Sequence, residues 1–435
     1  MGLISGNWSR NNLSRMFIEL CNLNSINNEN AARMYFYAFM GSYFRDTTID
    51  IGYTKKDLRV NVMWIQPTRT GKSQLNKIFK KICSEFDIKV VTLTEYTTAG
   101  LIGSIDTDAI KHNKKYQLSE NLPSRMVGKV LQEYQDPVVK GDLANYDILI
   151  FDEAKLLLLP SHHTQNLLSV LQPVLDYPGY VRKKLSSEVA IEYECNPTMI
   201  ATTYPFERMS GVLMEQGFFQ RLALFSKNFT TEEIFSRLKQ ARKTLSGQPT
   251  EKLYNEMITI FKNKMKNLKK YKEVTLSNGS IKRMDEFEEI LKEKIISTLK
   301  GKHKTAAATF GATMMDYTLK IAALQALMEG RNKILDRDVN LAYSRTTRFI
   351  LDTTLYSLDV TESKDMKKER ATILHLHGVL KREKKDVKKV DLRNFLADRL
   401  NIGNNMAAKK IQNLVEENYF HEVKGKGNTK YVEKK

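Results

Sequence analysis

Cysteine is scarce in this chain of 435 residues: Cys21, Cys83 and Cys195 lie far apart and form no CxxC pair. That spacing excludes a disulfide scaffold and a cysteine-built zinc site. The other metal-binding pattern worth weighing, His162-His163, falls in a predicted helix, where adjacent side chains cannot face one ion. Nine prolines and no repeat exclude a collagen-like or proline-rich chain. No run of about 18 apolar residues occurs, so no membrane-spanning helix is expected. The opening Met1-Gly-Leu-Ile-Ser-Gly-Asn-Trp8 has no basic flank before an apolar stretch, and residue 6 is Gly where N-myristoylation wants Ser or Thr. A reduced, soluble, cytoplasmic protein is the expectation.

What the chain does have is positive charge. Lys and Arg number 69 against 50 Asp and Glu, a formal net charge of +19. An excess of that size points to a polyanionic partner, most often nucleic acid. Hydrophobic content of 42% is ordinary for a globular protein, and the length allows roughly two or three domains.

Four segments are expected. Residues 1–55 read as an N-terminal helical segment, with apolar stripes over Leu13–Leu20 and Ala31–Phe44. Residues 56–230 alternate strand and helix signals, as an α/β core needs. Residues 231–360 read as helical, with Asn278-Gly-Ser280 as a turn. A hydrophilic stretch after Thr361 leads into a small unit over 361–435.

The core carries a phosphate-binding pattern. A strand ending at Ile65 runs into Gln66-Pro67-Thr68-Arg69-Thr70-Gly71-Lys72-Ser73 and then a helix, the context a P-loop requires. Loop amides and the helix start would cradle phosphate, Lys72 would sit on its oxygens, and Ser73 would hold Mg²⁺. The pattern departs from GxxxxGKS at its first position, where Gln66 replaces Gly. About 80 residues later, Tyr146-Asp-Ile-Leu-Ile-Phe-Asp152-Glu153 is an apolar strand ending in two carboxylates. Asp152 would orient the Mg²⁺ shell and Glu153 would polarise the attacking water.

These residues resemble a known family. Thr70-Gly-Lys-Ser-Gln-Leu-Asn-Lys77, Thr97-Thr-Ala-Gly-Leu-Ile-Gly-Ser104 and Gly141-Asp-Leu-Ala-Asn-Tyr146 look like the AAA+ motor of minichromosome maintenance (MCM) replicative helicases. The resemblance covers about residues 58–345 and the C-terminal unit. It implies an α/β fold: an AAA+ P-loop NTPase core with a helical lid and a C-terminal winged helix. It also implies a homo-oligomeric ring, a hexamer, moving on single-stranded DNA. There is no room before residue 55 for that family's large N-terminal domain, which implies a shortened relative of the mobile-element or viral type. A primase or initiator would be a further partner.

Carried over by position, Arg221 in Gly217-Phe-Phe-Gln-Arg-Leu-Ala-Leu-Phe225 is similar to the arginine finger that reaches a neighbouring subunit's γ-phosphate. Met199-Ile-Ala-Thr-Thr-Tyr204 is the expected sensor-1 strand, its role falling to Thr203 or Thr202. Thr313 stands where a sensor-2 arginine would be expected. Lys320 is a substitute there or simply a solvated lysine. Gly179 to Tyr193 reads as a β-hairpin whose Arg182, Lys183 and Lys184 would track a strand's phosphates in the pore. Asp106–Asp136 would hold a second pore element.

The last segment reads helix, helix, turn, helix, wing, which suits duplex DNA. Lys409 and Lys410 lie on the third helix, and Lys424 and Lys426 in the wing. The function expected is an ATP-dependent DNA helicase. The alternative is a replication initiator or helicase loader that remodels DNA without processive unwinding.

Overall fold

The computed structural model describes residues 12–23, 28–67, 71–105, 138–157, 162–184, 190–204, 218–226, 250–295, 302–346, 364–384, 386–416, 419–424 and 429–434, with positions 232 and 235. They fall into two compact units. One comprises Met1–Pro205, Val212–Met284 and Thr313–Thr353; the other gathers Asp285–Ala312 and Thr354–Lys435, with Phe206–Gly211.

In the first unit, α1 (Leu13–Asn22) and α2 (Glu29–Tyr43) start on Asn12 and Asn28. Each asparagine side chain accepts an amide of the first turn, Arg15 N–H and Ala31 N–H, both at 3.1 Å. These helices are buried among aromatics. Phe17 packs against Phe36, Phe39, Phe79 and Phe261 with ring centroids 5.5–6.3 Å apart. Each fully buried Phe is worth about 1.5–3 kcal/mol, so the N-terminal helices form part of the core. Gly41 lets α2 lie against the segment at Leu58: a Cβ on the glycine would lie 2.4 Å from the carbonyl oxygen of Leu58.

The strands follow in chain order. β1 (Thr48–Asp50) and β2 (Lys55–Asp57) pair antiparallel. β3 (Val62–Ile65) leads to α3 (Lys72–Ser84) and β4 (Val90–Leu93). β5 (Gly103–Ile105) and β6 (Val138–Lys140) form a small ribbon, followed by β7 (Ile148–Asp152). The helix His162–Leu175 precedes the hairpin β8 (Tyr180–Lys184) and β9 (Ala190–Glu194). β10 (Thr198–Thr203) and β11 (Ala223–Ser226) complete the central sheet, ordered β11-β3-β10-β7-β4 and parallel throughout. Val62-Met-Trp-Ile65 and Ile148-Leu-Ile-Phe151 are buried along their whole length. Parallel strands covered on both faces read as continuous apolar runs, and these do.

A second sheet, β13-β12-β1-β2, joins β1 to β12 (Glu273–Leu276) and β13 (Lys333–Ile334). The region expected to be wholly helical thus contributes strands, which pair with a segment more than 200 residues earlier. Asn278-Gly-Ser280 is not a turn but the first turn of the helix Asn278–Ile290. Ser277 caps it, its Oγ accepting from Ser280 N–H at 3.1 Å.

The C-terminal part of the second unit, from Lys364 on, shows among the described residues the helices Lys364–Glu383, Lys389–Arg399 and Asn404–Glu416, and the antiparallel pair β14 (Phe420–Lys424) and β15 (Lys430–Lys434). A bridge between Lys388 and Tyr431 ties the start of the second helix to β15. Leu380, Leu392, Leu396, Ile411, Phe420 and Val432 form its core. No helix among the described residues is long and apolar enough to cross a membrane. Cys21, Cys83 and Cys195 are buried free thiols, and burial pushes the Cys195 pKa up to about 11.

Candidate nucleotide site

The loop after β3 and the acidic end of β7 lie at the same carboxyl edge of the central sheet. β10 runs between these two strands, so their axes stand about 9–10 Å apart. Ligands of open parallel sheets bind in crevices at this edge.

Gly71 adopts φ 93°, a left-handed conformation that favours glycine, and sits at the start of α3 without a side-chain cap. The first amides of α3 therefore point from a helix N-terminus towards the loop, the arrangement that attracts anions. Lys72 folds back so that Nζ donates to the carbonyl oxygens of Gln66 (2.6 Å) and Pro67 (2.8 Å). Burial lowers its pKa from the ordinary value, while the fields of Asp152 and Glu153 act the other way. The lysine and both carboxylates thus share one electrostatic neighbourhood. Ser73 is exposed on the first turn of α3. Thr68, Arg69 and Thr70 lie outside the described residues.

Gln66 explains its own departure from glycine. It is not among the described residues with positive φ, and its side chain is fully buried. Its Oε1 accepts from Asn28 Nδ2 and from Trp64 Nε1, both at 2.7 Å. The first loop position is therefore a polar clamp. It joins the cap of α2 to β3, and its main-chain N–H donates to Thr203 O at 3.0 Å.

Asp152 closes β7 opposite Thr202 in β10, and Thr202 Oγ1 donates to Asp152 Oδ1 at 2.8 Å. Glu153, one residue on, is exposed and has φ 57°. A left-handed glutamate costs about 1–3 kcal/mol, and such strain clusters at functional positions. Thr203 is buried, with its carbonyl on Gln66; among the described residues its hydroxyl reaches only Tyr204 O, at 3.5 Å. Of the two threonines, Thr202 is the one whose hydroxyl bonds Asp152. Alternation along the strand was the signal available, because successive residues face opposite sides of a sheet.

The opposite, amino edge of the sheet holds the other candidates. Arg221 precedes β11, whose Ala223 pairs with Val62 at the start of β3. Its guanidinium forks onto Asp176 (Nε–Oδ1 2.7 Å, Nη2–Oδ2 2.9 Å), and its carbonyl accepts from Tyr317 Oη at 2.9 Å. The hairpin sits beside it. Arg182 pairs with Glu192 across the ladder at 2.8 Å, and Lys183 is half-buried. Lys184 is described by its backbone alone, and the tip at 185–189 and the region 106–136 lie outside the described residues.

Lys320 is not solvated, nor is it near the loop at residue 71. It is 8% exposed and donates to Asp57 Oδ1 (2.7 Å) and Arg59 O (3.1 Å) at the amino edge. Arg59, 3% exposed, also grips Asp57. It further donates to the carbonyls of Val174 (2.9 Å), Pro197 (3.2 Å) and Asp176 (2.7 Å). Burial would raise the Asp57 pKa, but Lys320 and Arg59 outweigh it and hold the carboxylate below its ordinary value. This cluster anchors the base of the hairpin. Nothing in the sequence pattern identified Arg59 or Asp57, since their other partners lie 115 to 263 residues away and leave no local trace.

No protein-family model matches the chain, and no curated protein matches it by sequence.

In the C-terminal unit, Lys409 is exposed on the third helix, in company with Asn404, Asn405, Met406 and Asn413. Lys410 is instead half-buried in an ion pair with Glu369 of the first helix. Lys424 is described by its backbone alone in β14, and Lys426 lies outside the described residues.

Proposed function

We propose that the chain is an ATP hydrolase of the AAA+ type, resembling the MCM motor, which works as a homo-oligomeric ring and unwinds DNA. The observation that supports this most is the convergence of Lys72, Asp152 and Glu153 at one sheet edge, with Thr202 braced against Asp152.

The residues fit a Mg²⁺-nucleotide. An uncapped helix start and a left-handed glycine form a phosphate cradle, and hydroxyl and carboxylate oxygens suit a hard cation. Bound Mg²⁺ would neutralise phosphate charge. Lys72 would leave the carbonyls of Gln66 and Pro67 for phosphate oxygens. Ser73 and Asp152 would hold the cation, with Thr202 fixing the carboxylate. Glu153 would accept a hydrogen bond from the attacking water. Arg221, at the amino edge, is remote from its own subunit's loop and is proposed to serve a neighbour's.

Arg182, Lys183 and Lys184 would carry the pull to single-stranded DNA, while the C-terminal unit would meet duplex through Lys409 and the exposed start of its third helix. That separate basic unit, with 19 Lys and Arg against 11 Asp and Glu from Thr361 onward, also favours the initiator or loader reading. Forked-DNA unwinding compared with duplex binding separates the two. Retained duplex binding with nucleotide-dependent remodelling but no strand separation would select the second.

A further inference from the structure

A polar cavity lies in the first unit, between the N-terminal helices, the helix Thr250–Lys266, the end of the helix Lys302–Met328 and the helix over 336–346. It has a volume of about 720 Å³, within the range of small-ligand sites. Its walls carry three cations, Arg33 from α2, Lys264 and Arg345, with Tyr37 beside them.

The charges are poorly matched. Arg33 has a side chain only 15% exposed, and its one ion-pair partner among the described residues is Glu29 at 3.8 Å, itself 69% exposed. Burial lowers the Arg33 pKa, and the nearby charge of Arg345 lowers it further. No carboxylate pairs with Arg345 or Lys264 among the described residues. The acid on the wall, Glu329, is already occupied by Gln325 (2.9 Å), Arg331 (2.8 Å) and Arg337 (2.7 Å). Two guanidiniums that repel one another across a polar cavity are costly unless an anion completes them.

We propose that this cavity is an anion-binding site for a phosphate-bearing ligand of about nucleotide size, separate from the loop at Lys72. Phosphate suits it better than carboxylate. Two guanidinium forks match phosphate oxygens in pairs, and a dianion balances three cations more closely than a monoanion does. The inference does not depend on the proposed ATPase activity. The phosphate could belong to a soluble nucleotide or to a single-stranded nucleic-acid backbone.

The test uses the full chain carrying Lys72→Ala, so that binding at the first loop is suppressed, titrated calorimetrically with inorganic pyrophosphate at low salt. Saturable binding of one pyrophosphate per chain is expected. Arg345→Gln should weaken it about tenfold or more, and Lys264→Gln several-fold. Without ligand, Arg345→Gln should melt no lower than its parent, because an unmatched charge has gone. No saturable binding, or affinity unchanged in both variants, would overturn the proposal. Competition by a non-hydrolysable ATP analogue assigns the phosphate to a soluble nucleotide; stronger competition by a short single-stranded oligonucleotide assigns it to a backbone. Competition by neither would refute a nucleotide-sized site.

Discussion

Arg221 and Asp176 meet in a two-pronged ion pair, with both guanidinium–carboxylate hydrogen bonds under 3 Å. Their side chains are 28% and 52% exposed, so solvent screens the pair and its worth to folding is about 0–1 kcal/mol. A contact this modest can hold an arginine in readiness and give it up to a stronger anion. Asp176→Ala should therefore leave the melting temperature nearly unchanged. Arg221→Ala should lower ATP turnover by about 10³-fold or more if the arginine serves a neighbour's phosphate. Mixing Arg221→Ala with Lys72→Ala subunits should then restore part of the activity, since some interfaces regain one intact half from each. A mixture no more active than its components would remove the role across the interface.

Thr202 and Thr203 give a sharper contrast. Thr202→Val deletes the hydrogen bond to Asp152 and should reduce Mg²⁺-dependent turnover about 10- to 100-fold, the usual effect of losing an orienting partner. Part of the loss should be recovered at high Mg²⁺. Thr203→Val, whose hydroxyl makes one long contact among the described residues, should cost far less. Equal losses, insensitive to Mg²⁺, would show that both threonines act through packing.

At the amino edge, Lys320→Met strands the Asp57 carboxylate with half its counter-charge in a buried site. A loss of about 3–5 kcal/mol is expected from breaking such a pair, measured by denaturant unfolding. Lys320→Met combined with Asp57→Asn should recover part of that loss. Because the folded pKa of Asp57 lies below its ordinary 3.8, its contribution is present above the unfolded pKa and is lost as pH falls through the folded value.

The C-terminal unit carries its own pH dependence. His377 is 1% exposed, packs 4.8 Å from the Phe420 ring and shares a 3.0 Å hydrogen bond with Val432 O, to which Nε2–H donates. Burial lowers its pKa from 6.5, and the charges of Lys381 and Lys434 add to the effect, despite the bond to Val432. Above pH 6.5 neither state binds the proton. Below it the unfolded chain takes the proton first, so stability falls as pH drops from 6.5 towards the folded pKa. Hydrogen-exchange protection of Phe420–Lys424, corrected for intrinsic rates, should decline over that interval. It should stay level in His377→Gln.

Much of the fold was legible because it is locally encoded. The apolar runs at 62–65 and 148–151, the hairpin at 180–194 and the helix order of the last 70 residues all carry their signal within a short window. The loop around Lys72 and the acid pair at 152–153 were legible for the same reason. What escaped depends on distant partners. Lys320 reads as a surface lysine because Asp57 lies 263 residues away. Gln66 reads as a defective glycine because Asn28, which occupies its side chain, caps a helix 38 residues earlier. β12 hides in a charged region because β1 supplies its pairing edge.

Glu153 is proposed to activate water for the ATP hydrolysis that drives strand separation. The most direct measurement is unwinding of a forked DNA by the wild-type chain and by Glu153→Gln, with nucleotide binding followed in parallel. The wild type should unwind the fork; the variant should still bind ATP, with turnover down about 10²-fold or more and no unwinding. Equal unwinding by both, or ATP turnover unaffected by Glu153→Gln, would contradict it.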